Sequence, residues 1–384
     1  MTQEGRTRPK DRRASILATA GVLFHRRGYV GTSLEDIAAE LGITAPALYR
    51  HFRGKAALYT AALESNLVEL ERSVAASTSV DEIVRGLARV GVEHPTLGLL
   101  WSPDRRRRLV DPDGELARRI SAVVDTVGAR VHADATGELG RILARAALAA
   151  VSSTGFYSSP LSAEEQRRQL EEVVAAVLSF RPLDPLVTLP VHDEEPAPRS
   201  WATQKTALLD ACASLVTRRG GYHAVSLDDI AAAAGVTAAT VYQLFAGKPD
   251  LFAAVLRRVA QWVTAMLQQD SARATSPDEA LQLTVASSLE FTARHPSWTG
   301  SLADELPNLP DEYQAEILAL VQDYLDEWLA LCVAIVPALP AEATRVRMRA
   351  VLAVIGDRAL QAADLEVFSV SDTTVLVRRM LSTS

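Results

Sequence analysis

Three observations predict an all-α protein built as two similar halves. Apolar residues recur at spacings of three and four along most of the 384 residues, and few segments alternate as strands do. The stretch from Thr32 to Lys55 recurs without a gap 193 residues later, from Val225 to Lys248. Aligning residues 16–63 with 209–256 gives 21 identities in 48 positions, which marks a duplicated unit. Between the copies, prolines at 182, 185, 190, 196 and 198 interrupt the chain. The length has room for two to four domains, and 48% hydrophobic residues suffice for packed cores.

The first half opens with a helix from about Lys10 to Arg27, stopped by Gly28 as a left-handed C-terminal cap. Ser33 caps a second helix, and Asp36 three residues on completes a capping-box pattern. Gly42 supplies a tight turn. Thr44 caps a third helix, whose first turn tolerates Pro46 because that N–H has no helical partner in any case. A fourth helix starts near Lys55, and amphipathic patterns place others over about 80–94, 103–133, 138–157 and 163–180. The prolines exclude a helix over 181–198. An extended linker of that length spans roughly 50 Å at about 3.1 Å per residue. The second half repeats the scheme, with Ser226 and Thr237 as caps and Gly235 at the turn. Glu93-His-Pro-Thr-Leu is echoed by Arg294-His-Pro-Ser-Trp, now offset by 201 residues.

Helix, tight turn and helix make a helix-turn-helix, whose second helix meets base edges in a major groove. In the third helix Leu48 and Phe52 lie four apart and face the core, which points Tyr49 and Arg50 outward. Ala45, Pro46 and Ala47 at its tip are small enough for close approach. Ala45 or the Pro46 ring suits a thymine methyl, Arg50 a guanine, and His51 a phosphate or base. Tyr49 and Lys55 suit phosphates, with the helix N-termini at Thr44 and Lys55 as further donors. The second copy keeps Tyr242, Phe245 and Lys248 but carries Gln243, Leu244 and Ala246 where the first has Arg50, His51 and Arg53. Thr240 and Gln243 still offer hydrogen bonds. Such a copy either reads a different half-site, giving an asymmetric operator, or supports packing alone. Arg6, Arg8, Lys10, Arg12 and Arg13 suit the minor groove or phosphates, with a solubilising tail as the alternative. Only Arg199 and Lys205 precede the second copy.

The net charge of -7 argues against a nucleic-acid partner until it is divided. Residues 1–60 hold ten Lys/Arg and five Asp/Glu, and residues 199–258 hold seven and four. The remaining 264 residues carry -15. Positive charge collects where the helix-turn-helix motifs lie, as expected of a molecule that meets phosphate with one end.

At these residues the chain resembles the TetR family of transcriptional repressors. Thr32-Ser33, Ile37-Ala38, Gly42, Thr44, Tyr49, His51-Phe52 and Lys55 match its pattern. The resemblance implies that Ser33, Thr44, Ala45, Pro46, Ala47, Tyr49, Arg50, His51 and Lys55 belong to a DNA-binding set. Thr237, Ala238, Thr240, Tyr242, Gln243 and Lys248 join it in the second copy. It further implies DNA heads at 1–60 and 199–254, each followed by a helical ligand and pairing domain, at 61–180 and 255–384, with a Pro-rich linker at 181–198. The pairing helices would be 138–157 with 163–180, and 342–364 with 371–382. Here they would meet inside one chain as a pseudo-dimer, over a seam of Ala146, Ala147, Ala149, Ala150, Val173, Val174 and Val177.

Ligand candidates in this reading are His94, Trp101, Phe156 and Tyr157 in the first half. In the second they are Trp262, Met266, Phe291, His295, Trp298, Tyr313, Tyr324 and Trp328. Core packing is the plain alternative for each, and an apolar small molecule suits the set. Arg105–Arg108 reads as a solvated face paired with Asp111, Asp113 and Glu115, or as an anion contact. Enzyme signatures are missing: Gly54-Lys55 and Gly247-Lys248 lack the rest of a phosphate loop, and no metal-ligand or nucleophile motif occurs. No cofactor is expected. Cys212 and Cys332 read as buried thiols in a reducing cytoplasm. No apolar run is long enough to span a bilayer, and the N-terminus lacks a signal-peptide core. The expected function is a ligand-responsive repressor acting on double-stranded DNA. The alternative is a ligand- or partner-binding protein whose second head, or both, no longer reads DNA.

Overall fold

The computed structural model describes residues 9–29, 31–101, 114–132, 137–156, 159–188, 203–219, 221–295, 305–360 and 366–382. The first head comprises α1 (Pro9–Arg27), α2 (Leu34–Glu40) and α3 (Ala45–Tyr49). Its body follows as α4 (Lys55–Ala76), α5 (Val80–Glu93), α6 (Gly98–Trp101), α7 (Glu115–Val131), α8 (Glu138–Ser152) and α9 (Ala163–Leu178). The second head is α10 (Gln204–Arg219), α11 (Leu227–Ala233) and α12 (Ala238–Leu244). Its body is α13 (Lys248–Arg273), α14 (Pro277–Arg294), α15 (Asp311–Ile335), α16 (Ala341–Leu360) and α17 (Val370–Leu381).

Serine hydroxyls start the body helices where sequence places them. Ser79, Ser162, Ser276 and Ser369 each accept the backbone N–H three residues on. The helix expected over 103–133 is corrected at its start. Gly114 is extended and caps α7, so the helix begins at Glu115. Residues 102–113, with the arginine run, lie outside the described residues. Among the described residues the fold is all-α apart from one two-residue ribbon that sequence did not suggest: β1 (Val187–Thr188) runs antiparallel to β2 (Glu366–Val367).

The two halves meet where α8 and α9 pack against α16 and α17. Every residue of the expected seam, Ala146, Ala147, Ala149, Ala150, Val173, Val174 and Val177, is buried there. Small side chains permit close helices, and each fully buried valine contributes about 1.5–3 kcal/mol. One continuous core runs from Phe24, Ile37 and Leu48 in the first head through its body and into α14–α17. The second head closes on a smaller core of its own, around Leu208, Ile230, Val241 and Phe252.

Polar ties cross the same junction. Arg347 of α16 has no exposed surface. Its guanidinium donates to Gln169 Oε1 at 2.7 Å, to the Leu381 carbonyl at 3.2 Å, to the Ser382 carbonyl and to Glu172. Gln169 and Glu172 belong to the first half, so the bond set spans the duplication. The buried Asp372 carboxylate accepts the backbone N–H groups of Leu183 (2.9 Å) and Asp184 (3.0 Å). Phe180 packs edge-on against Phe368 with ring centroids 5.2 Å apart. Both cysteines are buried and unpaired as disulfides, and burial pushes each thiol up to about 12. Among the described residues no helix is long and apolar enough to cross a membrane.

Candidate nucleic-acid interface

Each head is built by the same local chemistry. Ser33 Oγ accepts the Asp36 N–H at 2.9 Å, and the Asp36 carboxylate accepts the Ser33 N–H at 2.8 Å and its hydroxyl at 2.6 Å. Ser226 and Asp229 repeat this box in the same order at 3.1, 2.9 and 2.5 Å. These bonds hold both carboxyls below the usual carboxylate range, and Arg219 at 2.7 Å adds to the effect on Asp229. The turns then close alike. The Ile43 N–H reaches the Ala38 carbonyl and the Gly42 N–H that of Ala39, as Val236 and Gly235 do with Ala231 and Ala232. Gly42 and Gly235 occupy left-handed backbone at φ 62° and 68°.

That geometry fixes which face of α3 and α12 looks outward. Leu48 and Phe52 are buried in the first head, and Val241 and Phe245 in the second. Tyr49 is 56% exposed and Tyr242 63%. Thr44, Pro46 and Arg50 are exposed, with Ala45, Ala47 and His51 half-buried beside them. In the second head Thr237 and Gln243 are exposed, Ala238 and Thr240 half-buried, and Leu244 39% exposed. The Thr237 and Thr240 hydroxyls lie 3.0 Å apart, so they serve each other and the helix start. Ser33 is likewise engaged in its capping box.

The lysines make a contact that the sequence did not show. Lys55 Nζ lies 4.5 Å from the centre of the Tyr29 ring, and Lys248 Nζ lies 4.0 Å from that of Tyr222. Both side chains are half-buried, and desolvation lowers both ammonium groups from their ordinary value. At the starts of α4 and α13 the side chains therefore pack on Tyr29 and Tyr222. A second cation supports each recognition helix from below. Arg13 stacks over Phe52 at 4.6 Å, and Lys205 over Phe245 at 5.7 Å. Arg13 also reaches the His51 carbonyl at 3.4 Å, so part of the expected basic arm is structural. Both lysine–tyrosine pairs were visible as repeated residues, but linear sequence does not show that they touch.

The two heads attach to their bodies by different contacts. His25 Nε2 lies 2.5 Å from the Gly155 carbonyl in the first half. In the second, the buried Glu305 carboxylate accepts the Tyr222 N–H at 2.9 Å and the Asn308 amide at 2.7 Å. The turn Leu306–Asn308 also packs near α1 of the first head. One short segment of the second body thus adjoins both heads.

The family model described as bacterial regulatory proteins, tetR family, matches residues 16–62 and again 208–255. Both heads are TetR-family domains. Over 104 residues the chain is 34% identical to the HTH-type transcriptional activator FasR of Mycolicibacterium smegmatis, covering 25% of this chain and 48% of FasR. Over 83 residues it is 36% identical to the HTH-type transcriptional regulator TtgR of Pseudomonas putida, covering 22% and 40%. The chain thus spans about half or less of the length of these curated relatives. A TetR-family transcriptional regulator from Bordetella parapertussis superposes with a TM-score of 0.40 at 17% identity, over 47% of this chain and 93% of that one.

The expected ligand residues fare unevenly. Tyr157 and Trp298 lie outside the described residues, as do the side chains of Trp101 and Phe156. His94 is half-buried at the end of α5. Phe291 packs with Trp262 and His295 at centroid distances of 6.0 and 5.1 Å, with Arg258 over the Trp262 ring. Trp328 has no exposed surface and belongs to the main core. Tyr324 stands one turn before it, and burial pushes its hydroxyl up to about 12.

Proposed function

We propose that this tandem TetR-family chain is a DNA-binding transcriptional regulator, a repressor that leaves an asymmetric operator when a small molecule with an apolar body binds its helical bodies. The observation that carries the reading is the exposure of Tyr49 and Tyr242 on matching helices, each backed by the same capping box, turn and lysine–tyrosine brace. The heads are unequal. Arg50 suits a guanine, whereas Gln243 suits an adenine and Leu244 a thymine methyl. Two successive major grooves are met when recognition helices sit about 34–36 Å apart. A ligand that prefers another separation shifts the population off DNA.

The exposed Leu244 and the lack of charge on α12 favour a second reading, in which only the first head reads bases. Selection of bound DNA from a random pool separates the two. Two different half-sites in fixed order support the proposal, and one half-site alone supports the second reading. Sedimentation at low concentration tests the working unit. A species of 41.4 kDa is expected, and a predominant species of twice that mass would show that two chains, not one, act together.

A further inference from the structure

In its interior the second body keeps Asp270 Oδ2 on α13 and Thr284 Oγ1 and Ser288 Oγ on α14 without a hydrogen-bond partner, while the Trp328 indole N–H on α15 bonds to the Tyr324 hydroxyl. Asp270, Thr284 and Trp328 are 4%, 1% and 0% exposed. The three helices pack on one another. Asp270 lies one turn from Leu267, which shares a core with Leu281, Leu325 and Trp328, so these side chains belong to faces the helices turn inward. The equivalent helices of the first body meet on Ile83, Leu87, Ile120 and Val124. There the buried Asn66 is satisfied by Thr96, at 2.9 and 3.2 Å.

Leaving three buried polar atoms unpaired is costly, and a carboxylate oxygen most of all. Asp270 sits in the last turn of α13, where the helix dipole disfavours a negative charge. A cation near it relieves both penalties. The Trp262, Phe291 and His295 rings lie towards the other end of α14 and supply an aromatic flank. We infer that the second body alone holds one site for a small organic ammonium with an apolar or aromatic body. The ammonium donates to Asp270, and the Thr284 and Ser288 hydroxyls serve its other polar atoms. This inference rests on the regulator reading above and gives the effector its charge and its stoichiometry.

The test uses the full chain and three probes at millimolar concentration: phenethylamine, 2-phenylethanol and phenylacetate. Calorimetry should show phenethylamine binding at one per chain and preferred over both others. Asp270→Leu should weaken it at least about tenfold, and Trp328→Phe should weaken it less. Without probe, Asp270→Leu should not lower the melting temperature, because Oδ2 makes no hydrogen bond that the change would remove. Two equivalents bound, a preference for phenylacetate, no binding of any probe, or binding unchanged in Asp270→Leu would each overturn the inference. So would a lower melting temperature of Asp270→Leu, which would make the carboxylate structural. A gel shift on the same samples keeps the two readings apart. DNA binding without amine binding defeats only the inference, whereas amine binding that leaves DNA affinity unchanged defeats only the ligand-responsive regulator.

Discussion

Replacing Arg347 by methionine keeps an unbranched apolar stem and removes the charge. The guanidinium makes four sets of contacts, to Gln169, Glu172 and the carbonyls of Leu381 and Ser382. Loss of one member of a buried ion pair costs about 3–5 kcal/mol, because the other charge is stranded. Glu172 keeps 25% of its side-chain surface and can rehydrate, which favours the lower end, about 3 kcal/mol. Denaturant unfolding of the full chain, followed by tryptophan fluorescence, measures the loss. Removing Glu172 as well, as Arg347→Met with Glu172→Met, should recover about 1–2 kcal/mol, since no stranded carboxylate remains. A single variant less than about 1 kcal/mol below wild type, or a double variant whose losses simply add, would refute the idea that this arginine joins the halves. At the matching place in the first half, read by aligning Arg141-Ile-Leu-Ala-Arg145 with Arg345-Val-Arg-Met-Arg349, stands Leu143. The tie is therefore one-sided, and two copies of either half alone could not form it twice.

Arg50→Ala should weaken operator binding by about 1–3 kcal/mol and relax base preference in one half-site, as read by fluorescence anisotropy. Gln243→Ala should relax only the other half-site, and equal effects on both would contradict unequal heads. Lys55→Met should cost about 0.5–1 kcal/mol of stability through the lost Tyr29 contact and leave the slope of affinity against salt unchanged. A slope lower by about 0.9 would instead make Lys55 a phosphate contact. Asp36 and Asp229 titrate below their unfolded value, so their stabilisation is complete above about pH 4 and fades as pH falls towards their folded values. Melting temperature followed downward in pH should therefore drop less steeply for Asp229→Asn than for wild type. Gly140→Ala should destabilise by about 1–3 kcal/mol, because an added Cβ would lie 2.5 Å from the Gly128 carbonyl oxygen. Thermal melting checks it, and an unchanged midpoint would show that α7 and α8 can part.

The heads were legible in sequence because their signals are local. Ser33 with Asp36, the Gly42 turn, and Leu48 with Phe52 each act within a few residues, and duplication repeats each of them. The alanine seam was legible for a related reason, since small residues in a row on a helix have few other uses. What escaped reading depends on distant partners. Lys55 could be assigned to phosphate from its position, but only three dimensions put Tyr29 beneath it. The helix expected over 103–133 failed at Gly114, where periodicity on both sides masked a break. The ribbon at Val187–Thr188 lies within the proline-rich stretch, and its partner lies near the other end of the chain. In the second body, Thr284 and Ser288 read as ordinary polar positions until burial separated them from solvent.

The grip of Asp372 on Leu183 and Asp184 bears on abundance. A regulator assembled from separate subunits loses its partner as it is diluted, and its occupancy then falls with the square of concentration. Here the connection leaves α9 already moored to the far half, so the two heads stay in mutual reach at any dilution. A handful of molecules per cell would hold an operator in simple proportion to their number.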